Sequence, residues 1–364
     1  MSLQSDKILE LIAVAGEMPS AALRRLPIKP SYRYRLISDL KERKLIRLYS
    51  RDGLRGYKLT SAAKRLLMKD YPKRFLFFLA GTADTNVSVT DYNRRYRLHR
   101  TAEVIATLSN ASVNFFPDEK SNLFGEATIA SPTSKTFYFS REMKDIGEEH
   151  IKIRSSRATG VLFTEDEILL TYNTGSNLMK WEYQTELRCK AMLTGRFCQS
   201  DRAVYDKANV VGLMTGSSMK TALALLTSTG SRNRLYFRLD ETFTKFYFLP
   251  NNSEGESLLK ILCSAEARYE LRELLLSDLA NENPELPMEH DAVDSGGLPV
   301  LLAYEFDMER IRRFRKSLEL FDMRGVVYCF DFQQAVLSEY FGSLVKIQAI
   351  SMEKVKSSGL IRCF

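Results

Sequence analysis

No apolar run in the 364-residue chain approaches the roughly 20 residues that cross a bilayer. The longest tempting one, Phe75 to Ala80, falls far short. The start, Met1-Ser2-Leu3-Gln4-Ser5-Asp6, has no basic segment followed by an apolar one, so no secretory signal is expected. Cysteine is scarce: there are five, scattered and odd in number, with only three histidines and no zinc-knuckle spacing. That argues against a disulfide framework and a structural zinc site. No Gly-x-Ser-x-Gly elbow occurs, and Gly212-Leu-Met-Thr-Gly-Ser-Ser-Met-Lys220 lacks the Gly-Lys-Ser/Thr order of a phosphate loop. The expectation is a reduced, cytoplasmic protein that uses neither a membrane nor a small-molecule cofactor.

What is present is an ordinary globular balance, 45% apolar and 27% charged, on a chain long enough for two or three domains. The net charge of +8 is unevenly spread. The first 100 residues carry 22 Lys+Arg against 9 Asp+Glu, and the remaining 264 carry 31 against 36. A basic head on a mildly acidic body favours a polyanionic partner for the head, since Lys and Arg neutralise phosphates and release counterions.

The head reads as three helices and a ribbon. Ile8, Leu11, Ile12 and Ala15 give a first helix over 6–15 that Gly16 ends. Pro19-Ser20 opens a short second helix, 21–26. Ser31 is expected to cap a third, running to about Lys44, with Leu36, Ile37 and Leu40 inward and Tyr32, Arg33, Arg35, Lys41 and Lys44 on the other face. Two strands follow around the turn Ser50-Arg-Asp-Gly53, then a fourth helix capped by Thr60. This order, with Lys44-Leu-Ile-Arg47 and Gly56-Tyr-Lys-Leu-Thr60, resembles bacterial winged-helix DNA-binding domains. In that family the third helix enters the major groove and the wing meets the backbone or minor groove. The resemblance makes Ser31, Tyr32, Arg33, Arg35 and Lys41 candidate groove contacts, and Arg51 and Arg55 candidate phosphate contacts.

Residues 71–90 read as a connector. The basic cluster Arg94, Arg95, Arg97 and Arg100, with Tyr96 and His99 among them, leads into a helix over 101–108 and extends the candidate DNA surface. His99 is expected to pack beside Tyr96 or to meet a phosphate. A short strand over 136–140, a hairpin of 158–164 with 168–173, a strand over 178–184 and a helix over 186–193 follow. With the head, Arg97-Leu-His-Arg-Thr-Ala-Glu103, Ala158-Thr-Gly-Val-Leu-Phe163 and Lys180-Trp-Glu-Tyr-Gln-Thr-Glu186 resemble the replication-relaxation family of plasmid and mobile-element proteins. That resemblance, over residues 5 to 195, implies a winged helix followed by a restriction-endonuclease-like core. Such cores carry an Asp and then Glu/Asp-x-Lys around Mg²⁺. Here the first position reads Ser-Arg-Ala-Thr-Gly and the second Glu182-Tyr-Gln184, so a complete catalytic set is absent. Glu103, Glu182 and Lys190 are the remaining catalytic candidates, Lys180 being a further lysine within reach of such a site.

The last part, after 201, predicts an apolar helix over 217–226, an aromatic hairpin over 234–248 serving as core, helices over 256–263 and 265–279, and a loop over 280–297. Strand, helix, strand, helix, strand then run from Leu298 to Ile350, which implies parallel neighbours with right-handed crossovers. Asp307 and Asp331 fall at strand ends, where α/β sites gather ligands, but both read as helix caps. Arg310, Arg312, Arg313, Arg315 and Lys316 form a basic face that could meet DNA or only solvent.

The expected fold is therefore α/β: a winged-helix head over 1–72, then a mixed-sheet body made of a nuclease-like core over 73–200 and a C-terminal α/β region over 201–364 that either stands apart or continues the core. The expected function is sequence-specific binding of double-stranded DNA in plasmid or conjugative-element replication, relaxation or mobilisation. A homodimer or a relaxation complex is the expected assembly. The alternatives are a Mg²⁺-dependent endonuclease or nickase, a winged-helix regulator with an effector domain, and a protein-protein adaptor. Metal enters only with the first.

Overall fold

The computed structural model describes residues 3–124, 135–143, 156–198, 210–230, 236–279 and 286–359. The first residues of the expected aromatic hairpin, the start of the 280–297 loop and one of the five cysteines, Cys363, lie outside them. The described residues fall into two compact units, one up to Leu123 and one from Phe124 onward. Among them no helix is long and apolar enough to cross a membrane.

In the first unit α1 (Leu3–Ala15) is buried almost all round, from Ile8 to Ala15, and so forms the hub rather than a surface helix. Gly16 ends it at φ +72°, its N–H donating to Ile12 O at 2.8 Å. A Cβ there would come within 2.7 Å of the Thr85 Cα. Then come β1 (Met18–Pro19), α2 (Ser20–Arg24) and α3 (Pro30–Glu42). Pro30 is the first residue of α3 and Lys29 its N-cap, so Ser31 lies within the first turn and does not cap it. β2 (Ile46–Arg51) and β3 (Leu54–Leu59) pair antiparallel, closing at Arg51 and Leu54. Asp52 (φ +51°) and Gly53 (φ +76°) form the two-residue turn whose twist matches the strands. β1 pairs with the other edge of β3.

Thr60 caps α4 (Ser61–Asp70), accepting from the Ala63 N–H at 3.3 Å. The stretch expected as a connector holds α5 (Pro72–Leu79), which buries Phe75 and Phe78. α6 (Tyr92–Asn110) starts at the Asp91 cap and not at Thr101, so the whole basic cluster is helical. Ala102, Ile105 and Ala106 are fully buried, and α6 packs along α1. Both helices therefore belong to the first unit, which extends well past the expected boundary at residue 72.

The second unit contains two sheets. In the first, β4 (Thr136–Phe139), β5 (Gly160–Phe163), β6 (Ile168–Gly175), β7 (Val210–Gly216) and β8 (Phe246–Pro250) lie in that order. The pairs are antiparallel from β4 to β6 and parallel from β6 to β8. Every residue in these strands is buried, as in sheets covered on both faces. α7 (Ser140–Met143), α8 (Tyr183–Phe197), α9 (Met219–Leu226), α10 (Ser253–Leu262) and α11 (Ala265–Leu276) connect or flank them. Because β6 and β7 are neighbours, the middle and C-terminal regions share one sheet with no boundary at residue 200.

Two expected strands are absent. Within 178–184 only Lys180 makes a bridge, to Tyr236, and Tyr183 already begins α8. The described part of the expected aromatic hairpin is irregular up to Lys245, after which β8 pairs with β7. Its rings nevertheless fill the core, Phe237, Phe243, Phe246, Tyr247 and Phe248 all being buried.

The second sheet has the order β12-β11-β10-β9, made of β9 (Ala292–Val293), β10 (Pro299–Leu302), β11 (Gly325–Phe330) and β12 (Val345–Ile350). β10, β11 and β12 are parallel, joined by α12 (Met308–Leu320) and α13 (Asp331–Phe341), and α14 (Met352–Ser357) follows. This is the alternation expected from the sequence. Asp307 caps α12 through the Glu309 N–H at 3.1 Å. At α13 the cap is displaced by one residue: Gln333 accepts the Phe330 N–H at 2.9 Å, and Asp331 is the first helical residue.

Candidate functional site

The basic head sorts into structural and surface cations. Arg95, expected to face DNA, has no exposed area. Its guanidinium binds both oxygens of buried Glu17, with Nε to Oε2 at 2.9 Å, and donates to Arg51 O at 2.8 Å and Leu54 O at 3.0 Å. It also lies 4.4 Å from the Tyr49 ring centroid. Glu17 further meets His99 Nε2 at 2.9 Å and Lys58 Nζ at 3.2 Å. Burial alone would raise the Glu17 carboxyl, but Arg95, His99 and Lys58 together hold it down at about 2. His99 is thus held in this buried cluster by Glu17. The cluster locks the tip strands of the β2–β3 ribbon to α6.

Arg33 is also buried, its guanidinium donating to Arg24 O at 3.0 Å and Ile28 O at 3.2 Å. It ties the end of α2 to α3 and faces away from solvent. The exposed stripe of α3 is Ser31, Tyr34, Arg35, Ser38 and Lys41, recurring at three- and four-residue steps. Tyr34, missed in the sequence, is 79% exposed. Arg35 lies over the half-buried Tyr32 ring at 5.0 Å.

Lys29, Arg35, Lys41, Lys44, Arg47, Arg55 and Arg97 are exposed and have no carboxylate partner among the described residues. Arg51 and Arg94 are exposed but paired with Asp52 and Asp84. Arg100 packs over Tyr96 at 4.5 Å. The surface so defined is polar, cationic and carries one prominent ring, which suits a phosphate backbone and base edges.

The catalytic candidates are divided between the two units. Glu103 belongs to the first unit, on α6, where its carbonyl accepts from Arg25. Glu182 is exposed at the start of α8, and Lys190 donates to Thr242 O at 2.9 Å. Lys180 is exposed in its bridge to Tyr236. The buried carboxyl of this region is Glu186, enclosed by Ser156 Oγ at 2.9 Å, the Arg157 N–H at 3.0 Å and Tyr172 Oη at 2.8 Å. Burial pushes it above the usual carboxylate range. Among the described residues no group of three or more His, Cys, Asp or Glu is placed to hold a metal ion.

The α12 basic face is mostly neutralised within the second unit. Arg310 and Arg313 pair with Glu289, Arg312 with Glu309 and Arg315 with Glu319. Beside it lies a cavity of about 780 Å³, lined by Lys245, Glu305, Arg310 and Arg313 among others.

No family model, curated protein or solved structure matches the chain.

Proposed function

We propose that the first unit is a winged-helix module that binds double-stranded DNA. In this reading α3 lies in the major groove, presenting Ser31, Tyr34, Arg35 and Lys41, while Arg47, Arg51 and Arg55 on the ribbon meet phosphates. The observation that supports it best is the exposed stripe of α3, whose cations are unpaired while those of the core are consumed by buried partners. The resemblance to replication-relaxation proteins directs the search for a site to the DNA of a plasmid or conjugative element. A nuclease protection footprint on the DNA flanking the encoding gene tests this. A protected tract that an unrelated duplex does not compete away is expected; uniform or absent protection contradicts sequence-specific binding.

The cavity beside α12 favours one second reading, in which the second unit is an effector domain that gates the first. Neither reading uses Glu182 or Lys190 as catalytic groups.

A further inference from the structure

The first turns of α6 carry an aromatic ladder that the buried Glu17 cluster does not use. Tyr92, Tyr96 and Arg100 recur at four-residue steps and so stand one above another on one side of the helix. The Tyr92 and Tyr96 rings are parallel to within 8° at a centroid separation of 6.0 Å, and Arg100 lies over Tyr96 at 4.5 Å. Tyr96 is thus engaged by a ring and by a guanidinium. Among the described residues no further ring or cation lies over Tyr92, which is 45% exposed.

The ladder borders the tip of the β2–β3 ribbon. Arg95, between the two tyrosines in sequence, donates to the carbonyls of Arg51 at 2.8 Å and Leu54 at 3.0 Å. The start of α6 is therefore fixed against the turn that carries Arg51 and Arg55. The other exposed side chains of these turns are polar or cationic: Asn93, Arg94 and Arg97. Arg97 has no carboxylate partner among the described residues. The acids of this edge are occupied. Asp91 caps α6 by accepting the Arg94 N–H at 2.8 Å, Asp84 pairs with Arg94, and Asp52 pairs with Arg51. What stays open is a flat aromatic face bordered by positive charge.

That combination discriminates among partners. An apolar protein surface laid over Tyr92 would also have to desolvate Asn93, Arg94 and Arg97, which is costly without matching polar groups. A duplex offers phosphates but keeps its base faces inside the stack. An unpaired strand offers a base face to the ring and a phosphate to the cation at once, and stacking on tyrosine tolerates any base. We propose that the Tyr92–Tyr96 ladder binds an unpaired DNA strand, a base stacking on the open face of Tyr92 and a phosphate meeting Arg97. Because the ribbon beside it is assigned to duplex phosphates, the fitting substrate is a duplex that continues into a single strand. The inference rests on the reading of the first unit as a DNA-binding module and adds a contact on a different helix from α3.

Fluorescence anisotropy of the full chain tests it with five probes: a blunt duplex, the same duplex with an unpaired thymidine tail, a free oligothymidylate, an abasic oligomer of equal length, and an oligouridylate. The tailed duplex is expected to bind more tightly than the blunt one, and the oligothymidylate to bind saturably, with the abasic oligomer weaker by roughly tenfold or more. Tyr92→Ala is expected to weaken the oligothymidylate by roughly tenfold and to leave the blunt duplex within about twofold. Tyr92→Phe keeps the ring face and is expected to bind the oligothymidylate like the wild type. No oligothymidylate binding at about 10 μM chain, equal binding of the abasic oligomer, unchanged affinity in Tyr92→Ala, or an equal loss in Tyr92→Phe overturns the proposal. Tighter binding of oligouridylate overturns the assignment to DNA. Blunt-duplex binding without oligothymidylate binding sinks this inference alone, and oligothymidylate binding through Tyr92 without blunt-duplex binding sinks the duplex reading alone.

Discussion

Replacing Arg95 by methionine separates its buried place from its expected place on the DNA surface. The substitution removes the guanidinium from both Glu17 oxygens and leaves the carbonyls of Arg51 and Leu54 without that donor. Removing one partner of a buried ion pair costs about 3–5 kcal/mol, because the other charge stays behind. The Glu17 carboxyl gives an independent figure. It sits at about 2 against an ordinary 4.5, which at about 1.4 kcal/mol per pH unit is about 3 kcal/mol from the whole cluster. Since the folded value is the lower one, this contribution is complete above pH about 4.5 and is lost as pH falls towards about 2. Urea denaturation at pH 7, with amide exchange over residues 46–59, should show Arg95→Met destabilised by about 3 kcal/mol or more, the ribbon opening first. Glu17→Gln should also remove the part of the acid stability loss that falls between pH about 4.5 and about 2 in the first unit. Stability within about 0.5 kcal/mol of wild type, together with weaker DNA binding and a shallower salt dependence, would refute the reasoning and return Arg95 to the phosphate backbone.

Other outcomes follow from the same structure. Arg33→Ala should destabilise the first unit by about 1–3 kcal/mol in chemical denaturation, whereas Tyr34→Ala and Arg35→Ala should leave stability within about 0.5 kcal/mol and weaken DNA binding in anisotropy titrations. Glu305→Gln should raise the melting temperature of the ligand-free chain at pH 7. The Glu305 carboxyl is raised in the folded state, so its ionisation opposes folding above the ordinary range, and a flat or lowered melting temperature contradicts this. The thiols of Cys189, Cys263 and Cys329 are pushed up to about 12 by burial, so peptide mapping after iodoacetamide at pH 8 should find all three unmodified in the native chain.

The legible parts of the sequence were those fixed by local chemistry. Asp52-Gly53 specified its turn, Thr60 its cap, and Leu298–Ile350 its parallel alternation, because each signal lies within a few residues. Arg33 was misplaced although the phase was available. It stands three residues before Leu36 and seven before Leu40, on the face that both bury, while the same phase turns Tyr34 outward. Arg95 was harder, because its partner Glu17 is 78 residues away and carries no motif. The strands expected at 178–184 and in the aromatic hairpin had strand composition, but core packing of Trp181 and Phe237 accounts for those rings without a ladder. Glu305 had no local mark at all. It lines a cavity through the reversal at Phe306 (φ +55°), together with cations of α11 and α12 and Lys245 just before β8.

The central claim, that exposed cations of the first unit meet duplex DNA, is tested most directly by the salt dependence of binding. Log affinity against log salt should be measured for the wild-type chain and for the triple variant Arg35→Ala, Lys41→Ala, Arg55→Ala. Each lost phosphate contact lowers the slope by about 0.9, so the variant should be shallower by about 2–3 with its stability intact. An equal slope and affinity in the two proteins, or no duplex binding by either, would contradict the account.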